Sequence, residues 1–419
     1  MSYHAIFSGI VAVTAISMML NEQFLKLPKT IALTIISISI SVVVTIAVKL
    51  TPSIAHPLHD LLSSVDFKTT VLDVMLGYLL FASSLHINTI ALKRHSSIIL
   101  YLASIGVITS TLFTGFILWR ISRLVHLPIS FADCLIFGAL ISPTDPIAIA
   151  AVFKTTKNVP ERIKTRITGE SLFNDAAGIL VLVILVQIFY TGGAQHMDLT
   201  HIGIMALQES IGGIIWGLLV GYITSLFLAK THDAEVSILV TIAASSCGYV
   251  AASLFHVSGA ITMVIAGLIV GNLAKTKRFS ETISLNIAKF WDLVDGILNA
   301  FLFVLIGLEM LTIVNITYSV IVMGIIGIII VIIARFGSML LPSILLVDRK
   351  RYPFKWAEVI LLCWGGVRGA ISVALALAIP GFPESLVAIT YFIVIFSILI
   401  QGSSFKWAVN KLYPQPEHK

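Results

Sequence analysis

The chain of 419 residues is 58% hydrophobic and only 11% charged, where a soluble domain carries roughly 25% charged and 45–50% apolar residues. That excludes a soluble globular protein. At about 20 apolar residues per crossing of a roughly 30 Å hydrocarbon core, it amounts to a dozen or so helical spans and no large domain outside the membrane. The net charge of +6 does not point to nucleic acid, because the basic residues form short clusters between apolar runs, where they set membrane topology.

Thirteen apolar runs are predicted to span, near 5–20, 29–49, 69–88, 97–119, 129–153, 167–190, 203–229, 235–254, 257–273, 289–310, 318–346, 356–379 and 385–411. The first is short, but no basic segment precedes it and no small-residue cleavage site stands before Asn21 and Glu22, so it is read as a span. Cys134, Cys247 and Cys363 lie singly within such runs without disulfide or metal-ligand spacing, and are expected as three buried free thiols.

With thirteen spans the connecting loops alternate between two sides. One set of loops collects twenty-one of the 27 Lys and Arg residues and the other only four, Lys49, Lys68, Arg120 and Arg123; the remaining two, Arg335 and Arg368, sit inside apolar runs. The positive-inside rule then predicts an outside amino terminus and a cytoplasmic carboxyl terminus, as expected for a multi-pass protein of a plasma (inner) membrane.

Two spans are interrupted. Span five contains Ser142-Pro143-Thr144-Asp145-Pro146, whose prolines remove donors and clash with the preceding turn. Span twelve contains Gly365-Gly366-Val367-Arg368-Gly369, whose glycines permit unwinding and close backbone approach. The two spans are seven apart and therefore antiparallel. Broken segments at corresponding places in oppositely oriented halves are the sign of an inverted-repeat transporter with its site at the midplane. The expected architecture is all-α, one transmembrane domain over 1–419: a six-helix repeat at about 5–190, a linker helix at about 203–229 and an inverted repeat at about 235–411.

Span six opens with Gly169-Glu170-Ser171-Leu172-Phe173-Asn174-Asp175. Ser171, Asn174 and Asp175 share a helix face, with Glu170 one turn below Asn174. Span five descends from Asp145 and span six climbs to Asp175 by similar distances, so the two carboxylates should meet at one depth. Oxygens of Asp175, Asp145, Ser171 and Glu170 and the freed carbonyl of Thr144 suit a small hard cation that is losing its water.

These motifs, together with Leu79-Leu80-Phe81-Ala82, Gly267-Leu268-Ile269-Val270-Gly271-Asn272, Phe290 to Glu309 and Trp364 to Ala370, resemble the sodium/proton antiporters of the cation/proton antiporter superfamily, NhaP branch, related to the NHE exchangers. The resemblance implies that Asp175 binds either cation or proton. It marks Asn174 as the partner typical of the electroneutral branch. Asp145, Ser171, Glu170 and Thr144 are implied as further ligands or supports, Arg368 as the ion-pair partner of Glu170, and Arg335 as a basic residue facing the crossing. It implies alternating access with no cofactor beyond the transported sodium and protons, and lithium as a further substrate. Potassium/proton exchange stays open as the alternative. It also implies a homodimer. Gly213, Gly217 and Gly221, spaced by four along span seven, are either that seam or internal contacts.

A cation channel is the competing class, but channel filters are assembled from repeated loops with rings of like groups, and here one break carries acid and the other base. No His-Glu-x-x-His motif and no Gly-x-x-x-x-Gly-Lys loop for nucleotide is present, so an intramembrane enzyme is not expected. Asp292 and Asp295 stand where an acidic funnel would open, or are simply solvated. Glu209 and Glu309 have the same two readings at the outer side. His86, His126 and His256 at span ends are either pH sensors or ordinary interfacial residues. Three carboxylates, Asp145, Glu170 and Asp175, against two guanidiniums, Arg335 and Arg368, leave the empty site one negative charge. One cation or one proton cancels it, which predicts electroneutral one-for-one exchange.

Overall fold

The computed structural model describes residues 3–50, 69–145, 149, 153, 156, 159–190, 199–275, 279–309, 317–345 and 355–414. Every regular element among them is a helix. The helices are α1 (Tyr3–Leu20), α2 (Lys29–Leu50), α3 (Leu76–Leu85), α4 (Thr89–Leu124), α5 (Phe131–Ile141), α6 (Glu161–Tyr190), α7 (Leu199–Leu228), α8 (Ala234–Leu254), α9 (Gly259–Lys275), α10 (Glu281–Glu309), α11 (Tyr318–Leu345), α12 (Trp356–Trp364), α13 (Ala370–Ala378) and α14 (Glu384–Leu412). Short π-helical turns extend or interrupt several of them, among them Asn21–Leu25 after α1 and Thr69–Met75 before α3.

Each of the thirteen predicted runs contains helix among the described residues, the fifth as α5 over Phe131–Ile141 and the twelfth as the separate helices α12 and α13. Among the described residues nine helices are long and apolar enough to cross a membrane, and α3, α5 and α9 are shorter apolar helices. Several helices outrun their prediction, such as α4 and α10, because hydropathy registers only the stretch in hydrocarbon while the helix continues into polar surroundings. Pro146, most of the descending half of span five, and the basic residues Lys68, Lys154, Lys157, Lys277, Arg278, Arg349, Lys350, Arg351 and Lys419 of the orientation count lie outside the described residues.

Helix starts follow local capping chemistry. The side chain of Asn88 accepts from the amides of Ile90 and Ala91 at 3.0 and 3.2 Å to open α4, and Asp233 accepts from Glu235 and Val236 at 2.7 and 3.2 Å to open α8. Ser130 caps α5 by accepting from the amide of Asp133 at 3.0 Å. His126 and His256 occupy left-handed turns after α4 and α8, with φ of 55° and 54°, which gives both a place in the chain's reversals.

The buried apolar residues form two clusters. One gathers residues of α5, α6 and α10 to α14, and the second joins α3, α9 and α10 around the buried Trp291. α6 contributes to both. Cys134 and Cys363 are buried free thiols as expected, but Cys247 is exposed on α8, because an apolar run does not distinguish a face turned to lipid from one turned to protein.

The glycine stripe of α7 is an internal contact. A Cβ on Gly213 would come within 3.0 Å of the Ser258 carbonyl, one on Gly217 within 2.7 Å of the Thr262 carbonyl, and one on Gly221 within 2.9 Å of Ile269 Cβ. These glycines let α9 lie directly against α7, so they are not available as a seam between two copies.

Candidate functional site

The candidate residues converge where α5 ends and the α12–α13 pair is interrupted. α5 ends at Ile141, and Ser142 to Asp145 continue without helical structure. α12 ends at Trp364 and α13 resumes at Ala370. The two non-helical stretches cross in contact: the amide of Asp145 donates to the carbonyl of Val367 at 2.7 Å. Gly369 is required there, since a Cβ at that position would lie 2.4 Å from Asp145 Cβ and 2.6 Å from its Oδ2.

α6 supplies the third wall. Thr144 Oγ1 and Ser171 Oγ are 2.9 Å apart and bridge the break in α5 to α6. The amide nitrogen of Asn174 makes long contacts to the Ser142 carbonyl, Thr144 Oγ1 and Glu170 Oε1, at 3.4, 3.4 and 3.5 Å, while its Oδ1 is buried without a hydrogen-bond partner. Asp145 and Asp175 line one cavity of about 40 Å³ with Thr168, Ser83, Asn299 and an apolar rim. The two carboxylates expected at one level thus line the same cavity. Glu170, Ser171, Thr144 and Asn174 do not line the cavity but form the polar layer behind it. Among the described residues no three acidic, histidine or cysteine side chains converge on a metal position.

The two buried arginines divide the work differently from the expectation. Arg335, from α11, donates from Nη1 to Glu170 Oε1 at 2.5 Å and from Nη2 to Oε2 at 2.7 Å, a two-pronged pair that uses both carboxylate oxygens. Arg335 also lies against the crossing, since a Cβ on Gly366 would come within 2.7 Å of its Nε. Arg368 is therefore not the partner of Glu170. Its Nη1 donates to the carbonyls of Ser142 and Pro143, the latter at 3.0 Å. Ending α5 at the Pro143 break strips those carbonyls of helical donors, and a buried carbonyl without a donor is costly. The arginine of one break satisfies the other, while its own amide donates to Ser397 Oγ at 2.7 Å.

Two further polar clusters hold the surrounding helices. Tyr190 Oη, at the end of α6, donates to Asp133 Oδ1 at 2.6 Å and ties the far end of α6 to the start of α5. At the opposite end of α6, Arg162 and Arg166 (2.8 Å) both engage Glu358 in the first turn of α12. Glu358 is fully buried. Both arginines precede the run predicted as span six and fall among the twenty-one loop charges, and the signal for Glu358 is its position in an apolar run. Neither Glu358 nor Asn299 stands among the residues expected at the site. His86 Nε2 lies 3.3 Å from Asp292 Oδ1, joining the end of α3 to α10 with both side chains well exposed.

Residues 9–411 match the family described as sodium/hydrogen exchanger, transmembrane. The chain is 34% identical over 423 residues to the Na(+)/H(+) antiporter NhaP of Pseudomonas aeruginosa, covering 98% of each chain. It is 29% identical over 418 residues to the Na(+)/H(+) antiporter NhaH of Halobacillus dabanensis, again with 98% of each covered. Its fold is similar to that of the sodium proton antiporter MjNhaP1 from Methanocaldococcus jannaschii, solved at pH 8, with a TM-score of 0.76 at 18% identity over 99% of this chain and 100% of that one.

Proposed function

The chain belongs to the transmembrane sodium/hydrogen exchanger family and is a multi-pass sodium/proton antiporter, and we propose that it works by alternating access around Asp175, which takes the cation and the proton in turn. The observation that carries this reading is the cavity that Asp145 and Asp175 both line beside the crossing of two interrupted segments. A single carboxylate serving both ions makes them compete, and competition alone couples their movements. In this reading Asp145 assists at the cation, Ser171, Thr144 and Asn174 hold the break in α5 against α6, Arg335 neutralises Glu170, and Arg368 secures the crossing. Antiparallel breaks at residues 142–145 and 365–369 support two inverted repeats on either side of α7.

Exchange is one cation for one proton on this account. Three carboxylates against two guanidiniums leave the empty site one negative charge, and the two neutral loaded states are the ones a low-dielectric interior lets cross. Sodium is the substrate favoured by the relatives, with lithium as a smaller analogue. The concentration of basic residues on one set of loops supports a cytoplasmic carboxyl terminus in the plasma membrane. The cavity, walled by Ser83 and Ile87 near the end of α3 and by Thr168 low on α6, then leans toward the cytoplasm. A homodimer would engage the exposed face of α7, with Ile204, Leu207, Ile211 and Ile215, rather than the glycines on its other side.

Purified protein in liposomes loaded with a pH dye tests the reading. Sodium and lithium added outside should drive saturable proton efflux, calcium should not, and potassium reports the breadth of selectivity. No cation-dependent proton movement, or flux that does not saturate, would contradict antiport.

A further inference from the structure

The cavity has a wall to which the reading above gives no role. Asp145 and Asp175 line it from the interrupted segment and α6, whereas α3 and α10 add a largely apolar part of the lining with Leu79, Leu80 and Leu302. Its polar members are Ser83 and Asn299. Asn299 is 5% exposed, and a buried amide on an apolar wall is costly unless it is bound and used.

Its orientation is fixed. The Asn299 amide nitrogen donates to the carbonyl of Asp295 at 2.7 Å and to the Asp295 carboxylate at 3.1 Å. Both of its donors are thereby drawn back along α10, and the carbonyl oxygen is turned the other way. A donor group held by a carboxylate also polarises the amide and makes that oxygen a stronger acceptor. Asp292, Asp295 and Asn299 recur at i, i+3 and i+7 and so follow one face of α10, from the exposed His86–Asp292 pair to the cavity.

From this geometry we infer that Asn299 is a cation ligand of the transport site, lining the same cavity as Asp145 and Asp175 and positioned by Asp295. The inference rests on the antiport reading and names which ion the residue serves. A small hard cation collects several oxygens, carbonyl oxygens among them, and a space of about 40 Å³ admits only on the order of three waters, so the walls have to complete the shell. An amide oxygen is too weak a base to take up a proton near neutral pH. Asn299 therefore serves the cation and is indifferent to the proton.

The asymmetry supplies the test. Sodium-driven proton exchange is measured in proteoliposomes for wild type, Asn299→Leu, Asn299→Gln and Asp295→Ala, across sodium concentration and pH, with melting temperatures in detergent as a check on folding. Asn299→Leu keeps the volume and removes the oxygen, and should raise the KM for sodium about tenfold with the maximal rate and its pH dependence at saturating sodium unchanged. Asn299→Gln retains a carbonyl oxygen on a longer stem and should fall between the two. Asp295→Ala removes the carboxylate contact and leaves the amide held by the backbone carbonyl alone, and should raise the sodium KM in the same direction by less than Asn299→Leu. A wild-type KM in Asn299→Leu overturns the inference, as does an equal loss of maximal rate in the Leu and Gln variants, the mark of a residue that only holds α10 in shape. Absence of exchange in the wild type would instead contradict the antiport reading itself.

Discussion

The guanidinium of Arg335 grips both carboxylate oxygens of Glu170, at 2.5 and 2.7 Å, with neither side chain more than 7% exposed. A pair this deep is held by its own geometry, because breaking it from one side leaves an uncompensated buried charge at a cost of about 3–5 kcal/mol. Glu170→Ala and Arg335→Ala should each lower the melting temperature in detergent markedly, and the double variant should lose much less than the two losses combined. Glu170→Ala with Arg368→Ala should be nearer additive, since Arg368 is committed to the carbonyls of Ser142 and Pro143. Additive losses for Glu170 and Arg335 would contradict the pairing.

Glu358 offers a contrast between buried and exposed charge. It is fully buried and receives Arg162 and Arg166, whereas the Lys164–Glu161 pair one helix face away spans 3.8 Å with Glu161 82% exposed. Glu358→Gln should destabilise by about 3 kcal/mol or more, and Glu161→Gln by less than about 0.5 kcal/mol. Equal effects in thermal melts would show that Glu358 does not fasten α12 to α6.

Close approach at the crossing makes a single methyl group decisive. In Gly369→Ala the added Cβ would meet Asp145 at 2.4 Å, far inside van der Waals contact, so the carboxylate or the crossing has to move. Exchange should fall by an order of magnitude or more, a misplacement of about 1 Å being worth that much, while the protein remains folded by circular dichroism. Wild-type exchange in this variant would mean that Asp145 is not held where the structure has it.

How much of this was legible in the sequence depended on cost. A carboxylate or a helix break inside a hydrophobic run is expensive, so Asp145, Glu170, Asp175, Arg335 and Arg368 and both interruptions stood out without coordinates. What sequence did not disclose was pairing. Arg335 and Arg368 look alike within their runs, and only the crossing shows that Arg368 is drawn to carbonyls freed on the other broken helix. The α7 glycines likewise announce a close contact but not with which helix, and Asn299 is an unremarkable polar residue until α10 is set beside the cavity.

The proposed one-for-one stoichiometry rests on the charge count at the site, and voltage tests it. With Asp145, Glu170 and Asp175 ionised against Arg335 and Arg368, either loaded form is neutral, so imposing a potassium diffusion potential with valinomycin across proteoliposomes should leave the exchange rate unchanged. Asn174→Asp adds a titratable carboxylate one residue from Asp175 and should make exchange voltage-sensitive. A wild-type rate that changes with voltage, or a sodium-driven current on a solid-supported membrane, would contradict one-for-one exchange.

The most direct measurement of the central claim is sodium-driven proton movement in proteoliposomes containing Asp175→Asn, with the protein's fold confirmed by its melting temperature. Asparagine keeps the shape of the cavity wall and removes both the negative charge and the proton site, so exchange should be abolished at every pH and sodium concentration. Sodium/proton exchange at the wild-type rate in that variant would contradict the assignment of Asp175 as the group the two ions share.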